Sequence, residues 1–167
     1  MRAEKQALRR ALKKVRLDMS GEEVRGKSLA IADRLIAGVD WANTKDMHVY
    51  LAVPEWNEVQ TEPIIKYVNK RWPEVKVISP AISLNQELPK LRFDLIIVPC
   101  LGFDKNLHRL GLGAGFYDRF LAQQPRALKI GLSFADGSVK SGLPREPHDI
   151  VLDKIITEEG IMEAHDS

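Results

Sequence analysis

The chain has 167 residues, 44% hydrophobic and 29% charged, a composition that fits one globular domain with an adequate core. No apolar run approaches the length that spans a bilayer, and the single cysteine, Cys100, excludes an internal disulfide framework. The net charge of +2 is uneven: Arg2, Lys5, Arg9, Arg10, Lys13, Lys14 and Arg16 stand against Glu4 alone, giving residues 1–16 a charge of +6.

Residues 3–18 read as an amphipathic helix, with Leu8, Leu12 and Val15 as its apolar stripe and Ala7 and Ala11 beside it. Lys5 and Arg9 are four apart and share a face, suited to gripping one polyanion. The basic segment has three readings: a solvated face, a phosphate-facing one, or a nucleic-acid arm. It lacks the interleaved aromatics of a single-strand binder, so no nucleic-acid partner is expected. Ser20 followed by Glu23 is a capping box that opens a second helix, with Val24, Ile31 and Leu35 inward and Gly38 as its stop. Met47–Val53 reads as a strand, and the loop PEWNEVQ follows. Thr61 reads as an N-cap, Pro63 lies in the first turn, and Ile64, Ile65 and Val68 turn inward.

Val75–Ile78 reads as a short strand, residues 79–93 as loop, and 94–98 as a strand buried on both faces. A helix from Gly115 to Gln123, a strand over Leu128–Phe134 and short strands at Ile150–Leu152 and Ile155–Thr157 complete the order, with 162–167 frayed. Strands alternating with helices predict an α/β fold with a mostly parallel sheet covered on both faces. No repeat, low-complexity tract or linker divides the chain, so residues 1–167 are expected to form one domain. The basic N-terminus has no apolar segment of a secretory signal, and a cytoplasmic location with no membrane partner is expected.

The chemistry concentrates in Phe103–Leu121, FDKNLHRLGLGAGFYDRFL. Gly111, Gly113 and Gly115 alternate after Arg109, and glycine lets backbone N–H groups face a ligand without a Cβ in the way. A strand, a glycine-rich loop and a helix in succession make an anion cradle at the carboxyl edge of a sheet. Arg109 adds a planar charge suited to phosphate. Asp118 sits where a carboxylate holds the magnesium that travels with a nucleotide, and Asp149 offers a second such ligand. The register is neither GxxxxGK[ST] nor GxGxxG, so the glycines alone also read as a flexible turn.

Phe116 and Tyr117 are adjacent at a helix start. One bordering a nucleotide and both lying in the core or at its rim are equally compatible with the sequence. Glu58 sits on a strand-end loop, either to meet a polar heterocycle edge or to be solvated. Asp149 has an alternative as a turn residue. Cys100 reads as core. His48, His108 and His165 show no zinc spacing.

These segments together resemble the 5-formyltetrahydrofolate cyclo-ligase family. Its pattern K-x-x-x-R is matched at Lys5 to Arg9, E-V-x-T at 58–61, D-L-I-I-V-P at 94–99, F-D at Phe103-Asp104, R-L-G-x-G-x-G-[FY]-Y-D-R at 109–119, and P-x-E-x-H-D at 144–149, with a late threonine at Thr157. The resemblance implies a three-layer α/β/α fold. It implies ATP- and Mg²⁺-dependent conversion of 5-formyltetrahydrofolate to 5,10-methenyltetrahydrofolate, with ADP and phosphate released.

By the same resemblance, ATP is held by Lys5, Gln6, Ala7, Leu8 and Arg9 and, within a loop over 106–118, by Arg109, Leu110, Gly111, Leu112, Gly113, Ala114, Gly115, Phe116 and Tyr117. Arg109 and Lys5 act catalytically, Asp118 and Asp149 hold Mg²⁺, and Val53 and Glu58 border the folate. The chain departs from the pattern at Leu107 and Cys100, where glycine is common, at Ala114, at Gly137-Ser138, and in a shorter segment between Pro80 and Asp94. A relative of this family that binds ATP but acts on a non-folate substrate is the alternative that those departures motivate.

Overall fold

The computed structural model describes residues 1–79 and 91–164. In chain order it contains helix α1 (Arg2–Leu17), helix α2 (Gly21–Gly38), strand β1 (Asp46–Val49), helix α3 (Glu62–Arg71) and strands β2 (Lys76–Ile78) and β3 (Leu95–Pro99). A two-strand hairpin follows, β4 (Gly102–Phe103) with β5 (Arg109–Leu110), then helix α4 (Phe116–Ala122) and strands β6 (Leu128–Leu132), β7 (Lys154–Thr157) and β8 (Gly160–Glu163).

Six strands form one sheet in the order β2-β1-β3-β6-β7-β8. All neighbours are parallel except β7 and β8. Met47, His48 and Val49 of β1 and Leu95 to Val98 of β3 are buried without alternation, as expected for a strand covered on both faces. Successive side chains point to opposite faces. On the His48 face lies α4, whose Phe120 ring centroid is 4.7 Å from the imidazole. Helices α2 and α3 pack on each other, and α2 packs on β7. The result is one α/β unit in three layers.

Several elements differ from the sequence reading for physical reasons. Only Asp46–Val49 pairs as β1. After Val49 the chain leaves the sheet, and the Tyr50 carbonyl accepts the Thr61 hydroxyl at 2.7 Å. Thr61 therefore spends its hydroxyl on that carbonyl and makes no side-chain cap of α3, although Ser20 does cap α2 by accepting the Glu23 N–H at 3.1 Å. Ile150–Leu152 is not a strand, and Met162 and Glu163, expected to fray, pair in β8 opposite Ile155 and Lys154. Residues 80–90 and His165 lie outside the described residues.

The buried stripe of α1 also differs. Val15 is exposed, and the inward positions are Lys5, Leu8, Arg9, Leu12 and Arg16. Leu8 and Leu12 reach only a small satellite cluster with Leu110, Val139 and Leu143. Thus α1 rests on loops at the sheet's edge, with three cations on the face it buries.

Candidate functional site

The strand order reverses direction between β1 and β3, so the chains leaving their carboxyl ends diverge and open a crevice there. A cavity of about 610 Å³ occupies that place. Tyr50, Leu51 and Val53 line it from beyond β1, and Pro99 and Leu101 from the end of β3. The glycine loop, α1 and the 146–149 turn form the remaining walls.

Arg109 belongs to the β4–β5 hairpin and is not a loose loop residue. Its Nη1 donates to the Pro99 carbonyl at 3.2 Å, and its guanidinium lies 5.4 Å over the Tyr117 ring. Its Nη2 is 3.9 Å from Asp118 Oδ2, and its Nε is buried without a hydrogen-bond partner among the described residues. The hairpin is set by Asp104. One carboxylate oxygen accepts the N–H groups of Asn106 and His108, and the other accepts that of Leu143. Burial works against that carboxylate, but these three N–H groups hold its pKa below the ordinary value. His108 Nδ1 stands 3.1 Å from the same carboxylate and its Nε2 3.2 Å from Arg145 Nη1, which ties the hairpin to the turn that carries Asp149.

Beyond Arg109 the loop swings through Gly113 at φ +107° and Gly115 at φ +71°. A Cβ on Gly113 would lie 3.4 Å from Arg9 Cζ, so a side chain there would intrude on a cation facing the cavity. Arg9 Nε donates to the Gly111 carbonyl at 2.9 Å, which fastens α1 to the loop. Among the described residues, the amides of Gly111 to Gly115 donate no backbone hydrogen bond. Unspent amides next to two guanidinium groups make a surface that fits a polyphosphate.

One turn before Arg9 on α1, Lys5 Nζ donates to Asp149 Oδ2 at 2.7 Å and Glu146 Oε2 at 3.2 Å. Glu146, His148 and Asp149 bring one ligand atom each within 4.8 Å of one another. One ammonium against two carboxylates leaves excess negative charge, and hard oxygen donors of this kind fit Mg²⁺. The Lys5 contact and the Glu146 N–H hold the Asp149 carboxyl below its ordinary pKa, against the opposing effect of burial. Asp118, in the first turn of α4, lines the same cavity.

Glu58 is 7% exposed, and its Oε2 accepts the Val53 N–H at 2.8 Å. Burial pushes its carboxyl up, opposed by that N–H and by the charge of Arg16. Trp56 and Leu51 line the cavity with about half their surfaces open to solvent.

Lys5, Arg9, Val53, Glu58, Arg109, Gly111–Asp118 and Asp149 thus line one cavity. Phe116 and Tyr117 are both buried and both line it. Four residues expected at the nucleotide do not line it: Gln6 and Ala7 are exposed, and Leu8 and Leu110 pack in the satellite cluster. Cys100 is core, its thiol pushed up to about 12 by burial. Sequence reasoning missed Arg16, Tyr50, Trp56 and Glu146 as cavity residues. For Arg16 the signal was present: positions 5, 9, 12 and 16 share one helical face, which the apolar stripe through Val15 obscured.

The model of the 5-formyltetrahydrofolate cyclo-ligase family matches residues 1–88 and 69–158. A mouse 5-formyltetrahydrofolate cyclo-ligase is 28% identical over 93% of this chain and 94% of its own length. The enzyme of that name from Escherichia coli strain K12 is 34% identical over 53% of the chain and 50% of its own length. Two solved structures are similar throughout. The 5,10-methenyltetrahydrofolate synthetase of Mycoplasma pneumoniae has a TM-score of 0.79 and 27% identity, over 92% of this chain and 98% of its own. That of Aquifex aeolicus has 0.80 and 25%, over 98% and 94%. The chain belongs to the 5-formyltetrahydrofolate cyclo-ligase family.

Proposed function

We propose that the protein converts 5-formyltetrahydrofolate to 5,10-methenyltetrahydrofolate with cleavage of ATP to ADP and phosphate, using Mg²⁺. The observation that carries this reading is the convergence of Arg9, Arg109 and the glycine-loop amides on the same cavity as Glu58. A phosphate-binding half thereby faces a half with a carboxylate that can accept from a heterocycle.

The formyl oxygen of the substrate attacks the γ-phosphorus of ATP, and the bond to the bridging oxygen of ADP breaks. N10 of the folate then attacks the formyl carbon, and as the ring closes phosphate leaves with the former formyl oxygen and takes up the N10 proton. Both steps need positioning and charge neutralisation more than a covalent enzyme group. Arg109, held by Pro99 and Tyr117, offers a fixed charge to the transferring phosphoryl group. Arg9 and Lys5 bracket the phosphates from α1. Asp118 and Asp149, with Glu146 beside them, would hold Mg²⁺, which neutralises phosphate charge when bound. Lys5 would then exchange its carboxylate partners for phosphate oxygens. Glu58 and the Val53 segment border the pterin, and Trp56 offers an apolar face at the rim. A cytoplasmic location is part of this reading. It is consistent with the absence, among the described residues, of any helix long and apolar enough to cross a membrane.

The test is growth of near-ultraviolet absorbance from methenyltetrahydrofolate in the presence of ATP, Mg²⁺ and 5-formyltetrahydrofolate. Growth that requires all three is expected. A flat trace from folded protein that binds ATP would leave the nucleotide site standing and refute the folate assignment.

A further inference from the structure

Arg16 is the one cation on the buried face of α1 with no role above. It is 8% exposed, it lines the large cavity beside Tyr50, Glu58 and Leu101, and its buried Nε has no hydrogen-bond partner among the described residues. No carboxylate of the described residues lies within ion-pair distance of it, whereas Lys5 on the same face has two. A buried, unpaired guanidinium is expensive, and a fold retains one where a ligand completes it.

Its position relative to Glu58 is fixed through the backbone. Asn57 takes the left-handed conformation at φ +48° and donates from Nδ2 to the carbonyls of Arg16 at 3.0 Å and Met19 at 3.1 Å. The residue immediately before Glu58 therefore clamps the end of the helix turn that carries Arg16. Glu58 is itself oriented by the Val53 N–H. The pair presents a carboxylate acceptor and a guanidinium donor to the same volume. A 2-amino-4-oxo pyrimidine edge offers the complement, two N–H donors adjacent to one carbonyl oxygen.

Resting on the folate reading, we propose that Arg16 is a substrate-binding residue that donates to the ring carbonyl of the pterin while Glu58 accepts from the neighbouring ring N–H groups. The ATP half of the cavity has its own cations in Arg9 and Arg109, so Arg16 sets ring recognition and leaves nucleotide affinity alone. The competing account is structural. A void of about 10 Å³ also borders Arg16, lined by Leu12, Met19, Ser133 and Asp136 among others, and is at the lower limit for one water that could satisfy Nε.

Calorimetric titration of the full chain without ATP separates the two accounts. The probes are 5-formyltetrahydrofolate and its counterpart with an amino group in place of the ring carbonyl. Arg16→Met, which keeps length and removes the donors, is expected to weaken the carbonyl compound about 10- to 100-fold, the range for loss of a hydrogen bond to a charged group. The amino compound gives Arg16 no acceptor there and should bind wild type and variant alike. ATP affinity should be unchanged. The variant should melt higher than wild type, since an unpaired buried charge is gone.

Equal losses for both compounds, or a lower melting temperature with both affinities intact, would overturn the proposal while leaving the folate reading in place. Wild-type protein that binds ATP and neither pterin would overturn both. If Arg16→Met does not fold, Arg16→Lys, which keeps the charge and loses the planar fork, is read by the same difference between the two compounds.

Discussion

His48 shows how much one buried group dictates at the scale of a residue. It is 1% exposed in the middle of β1, ringed by Phe93, Tyr117 and Phe120, and neither ring nitrogen has a partner among the described residues. Burial pulls its pKa to about 4 from the ordinary 6.5. The sign follows from linkage: between those values the unfolded chain binds a proton that the folded protein refuses, so stability rises with pH through the window and falls as pH drops. At about 1.4 kcal/mol per unit the shift amounts to roughly 3 kcal/mol. Urea denaturation at pH 7 and pH 4.5 should show most of that loss in wild type and not in His48→Phe. Equal losses in both would mean that the acid sensitivity lies elsewhere. Leu107 is a second residue-scale case. It takes φ +65° at a position where the family pattern often has glycine, and it buries its side chain in the core. Apolar burial there offsets a backbone penalty of about 1–2 kcal/mol.

At the scale of elements, the loop from Gly111 to Gly115 was legible because composition names it: only glycine reaches φ +107° without strain, and the alternating glycines announce such a path. The hairpin in front of it was not legible, since β4 and β5 are two residues each and owe their pairing to Asp104, whose N–H partners reach from Asn106 to Leu143. The early end of β1 was equally hidden. Tyr50 to Val53 continue an apolar run, but tertiary bonds, among them that between Thr61 and the Tyr50 carbonyl, hold them out of the sheet, where Tyr50, Leu51 and Val53 line the cavity. The loop makes its own prediction. Gly113→Ala places a Cβ in a backbone region that L residues rarely adopt and 3.4 Å from Arg9 Cζ, so the amides must move. ATP affinity should fall about tenfold, a free-energy change of about 1.4 kcal/mol, with 5-formyltetrahydrofolate binding in the absence of nucleotide unchanged. Unchanged ATP affinity would remove the loop from the phosphate site.

For the whole molecule, the consequential division is between the sheet, with its large core, and α1, which holds the cavity shut from one side. The fold class was readable because strand–helix alternation and the buried run of β3 constrain it, and topology then puts a crevice where strand order reverses. The role of α1 was only half readable. Its cations appear in the sequence, but that they point inward follows from docking on loops and not on the sheet. Among the described residues, the main core cluster contains no residue of α1. The helix is held by the Leu8 and Leu12 contacts, the Lys5 ion pairs, the Arg9 bond to Gly111 and the Asn57 clamp. Such a helix opens at a lower free energy than the sheet. Amide hydrogen exchange should therefore find α1 exchanging faster than β3 and β6, through an opening that leaves the sheet protected. ATP with Mg²⁺ at 100 times its dissociation constant should slow α1 about a hundredfold, because a ligand that bridges α1 and the glycine loop must leave before the helix does. Slowing confined to the 111–118 loop would show that α1 is not a wall of the nucleotide site, and Lys5 and Arg9 would then lose their assigned contacts. Slowing of α1 and the loop together would make the N-terminal helix the part of the fold whose stability is completed by substrate.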